Sequence, residues 1–237
     1  MSIVGKSLSR ENEALAILEK MVNAGLEFTL IGGYAVTARG RHRYSVDCDI
    51  VAAELGEFQK LLERQGYRME KNSSLFHDIY GAESCRFIKD IEGNQVWVDI
   101  FVKSLVVRQT SASWSFEYLT RYSSLADVTG AQREVREVIV LEKEMLIATK
   151  IHSARPQDIR DIVMLAIDGK VDWNKVARHT KRDRLEAVEK QIDFVLSKLN
   201  DPRLGNDLKS EFMVKGDISN ELAKTKTGLK LVLDAVS

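Results

Sequence analysis

The sequence predicts an α+β fold, in which a small mixed β-sheet with flanking helices is followed by an α-helical region. Two observations support this prediction. Up to about residue 140, short β-prone runs alternate with glycine-bearing turns and brief helical segments. From residue 142 onward, apolar residues recur at helical spacing. We therefore predict an α/β domain over residues 1–140 and a helical domain over residues 141–237.

The first elements follow from capping residues, apolar spacing and glycines. A helix is predicted to begin near Ser9 and to end at Gly25. The run Phe28–Ile31 predicts a strand, which the two following glycines terminate. The next predicted elements are a helix over residues 34–39, a strand over 48–52 and a helix over 54–65.

The pattern then changes to strands and later to helices. Strands are predicted over residues 67–71, 75–80, 85–89 and 95–102, with polar or glycine-bearing turns between them. Residues 103–136 have no clean period and fit either further strands or a substrate-facing loop. Helices are predicted over residues 142–154, 156–167, 173–179, 185–199 and 220–236.

Composition and charge narrow the class of protein. The 237 residues include 35 Lys and Arg and 35 Asp and Glu, so the net charge is zero and no overall field attracts polyanions. Nucleic-acid contact would have to come from a small basic cluster such as Arg39, Arg41, His42 and Arg43, or Lys181, Arg182 and Arg184. We interpret the second cluster as a solvated helix end. The sequence has no apolar run of signal-peptide or membrane-span length, which predicts a cytoplasmic protein without a membrane partner.

Three aspartates, Asp47, Asp49 and Asp99, are the most informative residues. Side chains alternate along a strand, so Asp47 and Asp49 face one side while Cys48 and Ile50 face the core. Asp99 lies in another apolar strand, and clustered carboxylates repel one another unless a cation sits between them. Such ligands suit Mg²⁺ or Mn²⁺. The chemistry they favour is metal-assisted phosphoryl or nucleotidyl transfer.

Two further features are local. Gly32-Gly33 follows a strand and precedes a helix, so its backbone N–H groups could hold a triphosphate, although such a turn alone more often has no ligand. The two cysteines, Cys48 and Cys85, have neither metal-ligand nor disulfide spacing. We predict that both are reduced core residues.

Together these parts resemble the signature of the DNA polymerase β-like nucleotidyltransferase superfamily. The matching segments are Ile31-Gly32-Gly33, Asp47-Cys48-Asp49-Ile50 and Val98-Asp99-Ile100. Within the superfamily, the chain is most similar to the branch that contains AbiEii-type toxins. That likeness depends on Gly33-Tyr34-Ala35-Val36, Gly40, Arg43, Ser45, Lys150, Arg155, Asp158 and Asp161. The resemblance covers roughly residues 28–167.

The resemblance implies an enzyme that moves a nucleoside monophosphate from a nucleoside triphosphate to a hydroxyl acceptor and releases pyrophosphate. It implies that Asp47, Asp49 and Asp99 ligate two metal ions and that Lys150 contributes a catalytic positive charge. The residues implied to bind the nucleotide are Gly32, Gly33, Arg43, Ser45 and Lys150. The implied acceptor is RNA, especially a tRNA 3′ end, or a protein hydroxyl. A small molecule is a less favoured acceptor. A cognate antitoxin or partner protein is also implied.

Other interpretations stay open at this point. Lys150 could be an exposed helix residue paired with Glu142 or Glu144. Asp158 and Asp161 share a helix face and fit a capping or salt-bridge role with Arg155 or Arg160. Arg43 could contact phosphate or simply neutralise the carboxylates.

The functional alternatives are a catalytically inactive nucleotide-binding or adaptor protein of the same fold, and a structural partner. One departure from the family also matters. Many members place a serine directly after the glycines, whereas this chain has Tyr34. Phosphate contacts would then come from the backbone, Ser45 or Lys150.

Overall fold

The computed structural model describes residues 3–70, 84–167, 170–182, 184–212 and 215–237. Within these residues there are nine strands and ten helices. The elements of the first part are α1 (Ile3–Asn23), β1 (Phe28–Ile31), α2 (Gly32–Arg39), β2 (Asp47–Ala52), α3 (Gly56–Arg64), β3 (Arg68–Met69), β4 (Ser84–Ile91) and β5 (Asn94–Val102).

The remaining elements begin with a two-stranded hairpin and end with a run of helices. The middle of the chain forms β6 (Ser104–Val107), β7 (Ala112–Ser115), α4 (Phe116–Arg121), β8 (Ser123–Thr129) and β9 (Glu134–Leu141). The C-terminal part forms α5 (Lys143–Ser153), α6 (Pro156–Ala166), α7 (Trp173–Thr180), α8 (Leu185–Lys198), α9 (Leu204–Glu211) and α10 (Ser219–Val236).

One mixed sheet organises the fold. Its seven strands lie in the order β3-β4-β5-β2-β1-β9-β8. Strand β2 is parallel to β5 and antiparallel to β1, while β4 is antiparallel to β5. The pair β6 and β7 forms a separate two-stranded sheet. This mixed sheet, followed by helices, confirms the predicted α+β class.

Most predicted elements lie within a few residues of the observed ones, and the exceptions have physical causes. Helix α1 begins at Ile3, six residues before the predicted start, and Ser9 lies inside it with its hydroxyl donating to Glu92 Oε2 at 3.1 Å. Helix α2 begins at the glycines themselves. The sequence did not predict α9, a short helix whose buried apolar residues are Leu204 and Leu208. The strand predicted over residues 75–80 lies outside the described residues.

A two-residue turn joins β4 to β5. Glu92 and Gly93 both have positive φ, 51° and 77°, and Ile91 pairs with Asn94 across the turn. This is the conformation of a type I′ hairpin turn, which fixes the register of the two strands. The same register places Arg86 opposite Asp99.

Residues 103–136, for which the sequence fitted either strands or a substrate-facing loop, form strands and a short helix. The β6–β7 hairpin borders a cleft, to which it contributes Leu105, Val107 and Gln109. Ser115 caps α4 by accepting a hydrogen bond from the Tyr118 N–H.

A hydrophobic cluster includes residues of the sheet, such as Ile50 and Val98, and of the helices, such as Ile162 and Val232. The division into two domains at residues 140 and 141 stays a prediction.

Cys48 is fully buried as predicted, but Cys85 is only half-buried, which corrects its assignment to the core. Within the described residues, no helix is both long enough and apolar enough to span a membrane.

Candidate active site

A cleft of about 760 Å³ lies where the sheet meets helices α5 and α6. Its walls come from the β1–α2 turn, the loop over residues 41–46, strands β2, β4 and β5, the β6–β7 hairpin and the two helices. The structure brings every predicted site residue to this cleft, namely Gly32, Gly33, Arg43, Ser45, Asp47, Asp49, Asp99 and Lys150.

Asp47, Asp49 and Asp99 form what we call the acidic floor of the cleft. Asp49 pairs in register with Asp99 on the neighbouring parallel strand, so both side chains project from the same face. Asp47 lies two residues before Asp49 and shares that face. Cys48 and Ile50 are fully buried on the opposite face, as the alternation predicts.

The environment of the acidic floor disfavours the ionised form of its carboxylates. Burial, and then the charge of Asp99, raises the pKa of Asp47 to about 6. Burial, followed by the charges of Asp99 and Asp47, raises the pKa of Asp49 to about 7. Burial also raises the pKa of Asp99, although the Arg86 guanidinium opposes that shift. A bound cation would relieve all three effects.

Two observations test whether these side chains fit a metal. In the part of the chain that the structure describes, Asp47 Oδ1 is buried and has no hydrogen-bond partner, which suits a ligand atom. Asp99, however, is held by Arg86, with Nε 2.8 Å from Oδ1 and Nη2 2.8 Å from Oδ2. Among the described residues, no three acidic, histidine or cysteine side chains stand around a common point that could hold a metal. Asp47 and Asp49 thus fit a hard cation, whereas Asp99 already has a cationic neighbour.

The Gly32-Gly33 turn packs directly on this floor. Gly32 has φ of +68°, and a Cβ there would lie 1.9 Å from Asp49 Oδ2. A Cβ at Gly33 would lie 2.5 Å from Ser45 Oγ. Only glycine therefore allows the turn to approach both the carboxylate and the hydroxyl.

Tyr34, the departure from the family pattern, has a structural role. It is buried, and its hydroxyl donates to the backbone carbonyl of Ser45 at 2.8 Å. This bond holds the loop that carries Ser45 against Gly33. The Ser45 hydroxyl therefore lies beside the glycines although the residue is twelve positions further along the chain.

The cleft is also bordered by a second ionic group, which we call the ion-pair wall: Arg43, Lys150 and Asp158 line the cleft, and the fully buried Asp161 lies behind them. Lys150 is only 6% exposed, and its Nζ lies 2.6 Å from Asp161 Oδ2 and 3.2 Å from Asp158 Oδ1. Arg43 Nε lies 2.8 Å from Asp161 Oδ1. The alternative that Lys150 is an exposed residue paired with Glu142 or Glu144 is wrong, and Glu142 pairs with Lys175 instead.

The wall is electrostatically satisfied. Burial would lower the pKa of Lys150, but Asp161 and Asp158 outweigh it and raise that pKa, so the ammonium stays charged. Burial would likewise raise the pKa of Asp158, but Lys150 and Arg155 hold it well below its usual range.

Asp158 has the capping and salt-bridge geometry that the sequence favoured. It accepts from the Arg155 backbone N–H at 3.2 Å and from Arg155 Nε at 2.7 Å, and so caps the first turn of α6. Asp161 differs from the expectation, because it pairs with Arg43 and Lys150 rather than with Arg155 or Arg160.

A family model described as "Nucleotidyltransferase of unknown function (DUF6036)" matches residues 10–197, well over half of the chain. The chain belongs to this family. The nucleotidyltransferase superfamily and enzyme class that the sequence predicted are thereby confirmed. The AbiEii-type branch stays a prediction.

Solved structures share the fold of this DUF6036 protein. JHP933 from Helicobacter pylori covers 98% of this chain and 93% of its own, with 14% identity and a TM-score of 0.54. A candidate nucleotidyltransferase from H. pylori covers 100% of this chain and 97% of its own, with 14% identity and a TM-score of 0.51. At such identity the likeness shows the fold alone. The antibiotic-resistance factor ANT(2'')-Ia covers 80% of this chain and 98% of its own, at 16% identity and a TM-score of 0.47, too low to support an argument. No curated protein matches the chain significantly.

Sequence reasoning missed Arg86 and the apolar side of the cleft in this DUF6036 protein. Arg86 lines the cleft beside Asp99. The apolar lining comes from Ile31, Phe101, Leu105, Val107, Leu146 and Pro156. The Glu92-Gly93 turn was a signal that could have found Arg86, because a two-residue turn sets the pairing by counting outward from Ile91 and Asn94.

Proposed function

We propose that this DUF6036 protein is a Mg²⁺- or Mn²⁺-dependent nucleotidyltransferase that moves a nucleoside monophosphate from a nucleoside triphosphate to a hydroxyl acceptor. The observation that carries the proposal is the acidic floor beside the Gly32-Gly33 turn. Raised carboxylate pKa values favour a cation at Asp47 and Asp49 over a merely structural role, as does Asp47 Oδ1, which has no hydrogen-bond partner among the residues that the structure describes.

The triphosphate would bind between the floor and the wall. The first turn of α2 offers backbone N–H groups beside Gly33, and Ser45 and Arg43 lie against the same glycine. Lys150, in the ion-pair wall, adds a buried positive charge. The apolar lining of the cleft suits the nucleobase.

In the proposed reaction the acceptor oxygen forms a bond to the α-phosphorus while the bond from that phosphorus to the bridging oxygen breaks. Pyrophosphate leaves with the electron pair, and the hydroxyl proton passes to a carboxylate. Asp99 is the candidate acceptor of that proton, since burial raises its pKa and Arg86 fixes its orientation. A divalent ion on the floor would stabilise charge on the α-phosphate and the leaving group.

We propose an RNA 3′ hydroxyl or a protein hydroxyl as acceptor, on the strength of the family resemblance. Arg155, with a side chain 55% exposed, and Arg160 lie on the same cleft and could meet acceptor phosphates. The zero net charge limits such contacts to a short segment of RNA. A cognate antitoxin remains part of this proposal.

A nucleotide-binding protein without turnover is a second candidate, favoured by one observation. Arg86 already neutralises Asp99 and contacts both of its oxygens, so the third carboxylate has less need of a metal in the described geometry. This candidate predicts nucleotide binding without transfer.

The deciding experiment follows label from each α-labelled triphosphate, with Mg²⁺, to total tRNA or to lysate protein. We expect transfer by the wild type and a loss of at least about 100-fold in Asp47→Asn, equivalent to roughly 3 kcal/mol of transition-state stabilisation. Asp193→Asn, at an exposed position on α8, is the matched control and should retain activity. Transfer that survives in Asp47→Asn would refute the catalytic proposal, and binding without transfer would favour the second candidate.

A further inference from the structure

Arg86 occupies the position from which a second cation would contact Asp99. The two residues are directly opposite each other on antiparallel strands β4 and β5, so their side chains share the face that carries the acidic floor. Both oxygens of Asp99 face the guanidinium, each at 2.8 Å. This bidentate geometry is the strong form of an arginine–carboxylate pair.

The Arg86–Asp99 pair is also largely buried and packs against Trp97. Asp99 is 3% exposed and the Arg86 side chain is 21% exposed. Arg86 Cζ lies 5.0 Å from the centroid of the Trp97 ring, and Trp97 lies two residues before Asp99 on the same face. Separating such a pair would leave a buried charge uncompensated, so a hydrated ion would not easily displace the guanidinium.

The charge balance at the floor agrees with this geometry. With all three carboxylates ionised, the aspartates and Arg86 together carry a formal charge of minus two. Without Arg86 the floor would carry minus three and would favour a second ion.

We propose that Arg86 takes the place of the second metal, so that this nucleotidyltransferase holds one divalent ion, on Asp47 and Asp49, with the Arg86–Asp99 pair on the acceptor side. This inference rests on the proposed function and departs from the two-ion arrangement that the superfamily resemblance implies. Arg86 then supplies the positive charge near the acceptor, and Asp99 stays free of metal.

The test counts Mn²⁺ ions on the full chain, with the chain in excess over a non-hydrolysable analogue of the triphosphate that supports transfer. Equilibrium dialysis should retain one Mn²⁺ per nucleotide in the wild type and in Arg86→Lys, which keeps the charge. Arg86→Met removes the charge but keeps a side chain of similar length, and this variant should retain two Mn²⁺ per nucleotide. The two ions, about 3.5–4 Å apart, should then give a spin-coupled electron paramagnetic resonance spectrum that the wild type lacks.

The outcomes separate this inference from the function on which it rests. No retained Mn²⁺ in the wild type would refute the metal-dependent function and this inference with it. Two ions in the wild type, or one in a folded Arg86→Met, would refute this inference alone and leave the function standing. Circular dichroism checks the folding of Arg86→Met, and Arg86→Gln replaces it if it does not fold. The wild-type count decides between one ion and two in either case.

Discussion

The acidic floor and the ion-pair wall both belong to the region of the cleft, yet their buried charges are balanced to different degrees. In the wall, Asp161 lies within 2.8 Å of a nitrogen of both Lys150 and Arg43, so each charge has an opposite partner. On the floor, Arg86 pairs with Asp99, whereas in the described residues Asp47 Oδ1 has no hydrogen-bond partner. The wall is complete without a ligand, whereas the floor is not.

This difference indicates which buried charges stabilise the fold without a ligand and which do not. Buried pairs are costly to break, so the wall should contribute to stability and hold Arg43 and Lys150 in position. Clustered carboxylates with raised pKa values oppose folding until a cation arrives, so the floor should reduce stability in the absence of metal. Perturbed pKa values in a cleft are typical of functional sites.

The largest expected effect is on the wall. Asp161→Asn leaves Lys150 and Arg43 facing a neutral amide, and we expect it to lower the free energy of unfolding by about 3 kcal/mol. Urea denaturation in the presence of EDTA measures this, with Asp193→Asn as the exposed control. A loss below about 1 kcal/mol, the range of exposed ion pairs, would mean that the wall is not a tightly paired group.

The floor should respond with the opposite sign. Asp49→Asn removes a carboxylate whose pKa burial and neighbouring charges raise to about 7, so without metal it should raise the free energy of unfolding by about 1 kcal/mol at pH 8. The folded wild type takes up this proton as the pH falls from about 7 towards 4, while the unfolded chain, with its ordinary pKa of 3.8, does not. The advantage of the variant should therefore shrink over that range.

Urea denaturation of both proteins at pH 8, 6.5 and 5 measures this change. Burial lowers the pKa values of His152 and His179 to about 4, but both histidines are present in both proteins, so their protonation cancels from the difference. An advantage that stays constant or grows as the pH falls would contradict the proposed electrostatics of the floor.

The smallest expected effect concerns the exposed end of the wall. The Arg155 side chain is 55% exposed, and Asp158 would keep Lys150, the Ser153 hydroxyl at 2.7 Å and the backbone N–H of residue 155. We therefore expect Arg155→Ala to lower the free energy of unfolding by only about 0.5 kcal/mol. A loss as large as that of Asp161→Asn, measured in the same urea series, would show that the wall extends to the cleft mouth.

The sequence predicted the parts of the site that depend on local pattern. Strand alternation placed Asp47 and Asp49 on one face, and the glycines marked the turn that packs against them. Asp99 could be placed on a later strand because its neighbours are apolar. The roles of these residues as metal ligands and catalysts stay predictions.

What the sequence did not predict depends on contacts between distant segments. Lys150 is buried because α5 and α6 bring it, Asp158 and Asp161 together beneath the loop that carries Arg43, and nothing local to Lys150 signals that packing. Helix α9 is short, with only Leu204 and Leu208 buried within it, so its periodicity is too weak to detect. The pairing of Arg86 with Asp99 could have been predicted by counting residues outward from the β4–β5 turn.

That turn has a consequence for how the site can diverge. Since Glu92 and Gly93 alone connect the strands, Arg86 and Asp99 are inherited as a single hairpin, and recombination that exchanges residues 84–102 carries both charges together. An insertion of one residue into either strand would send one partner to the other face of the sheet, where Val98 and Ile100 are buried. A one-residue change in the length of either strand would therefore separate Arg86 from Asp99.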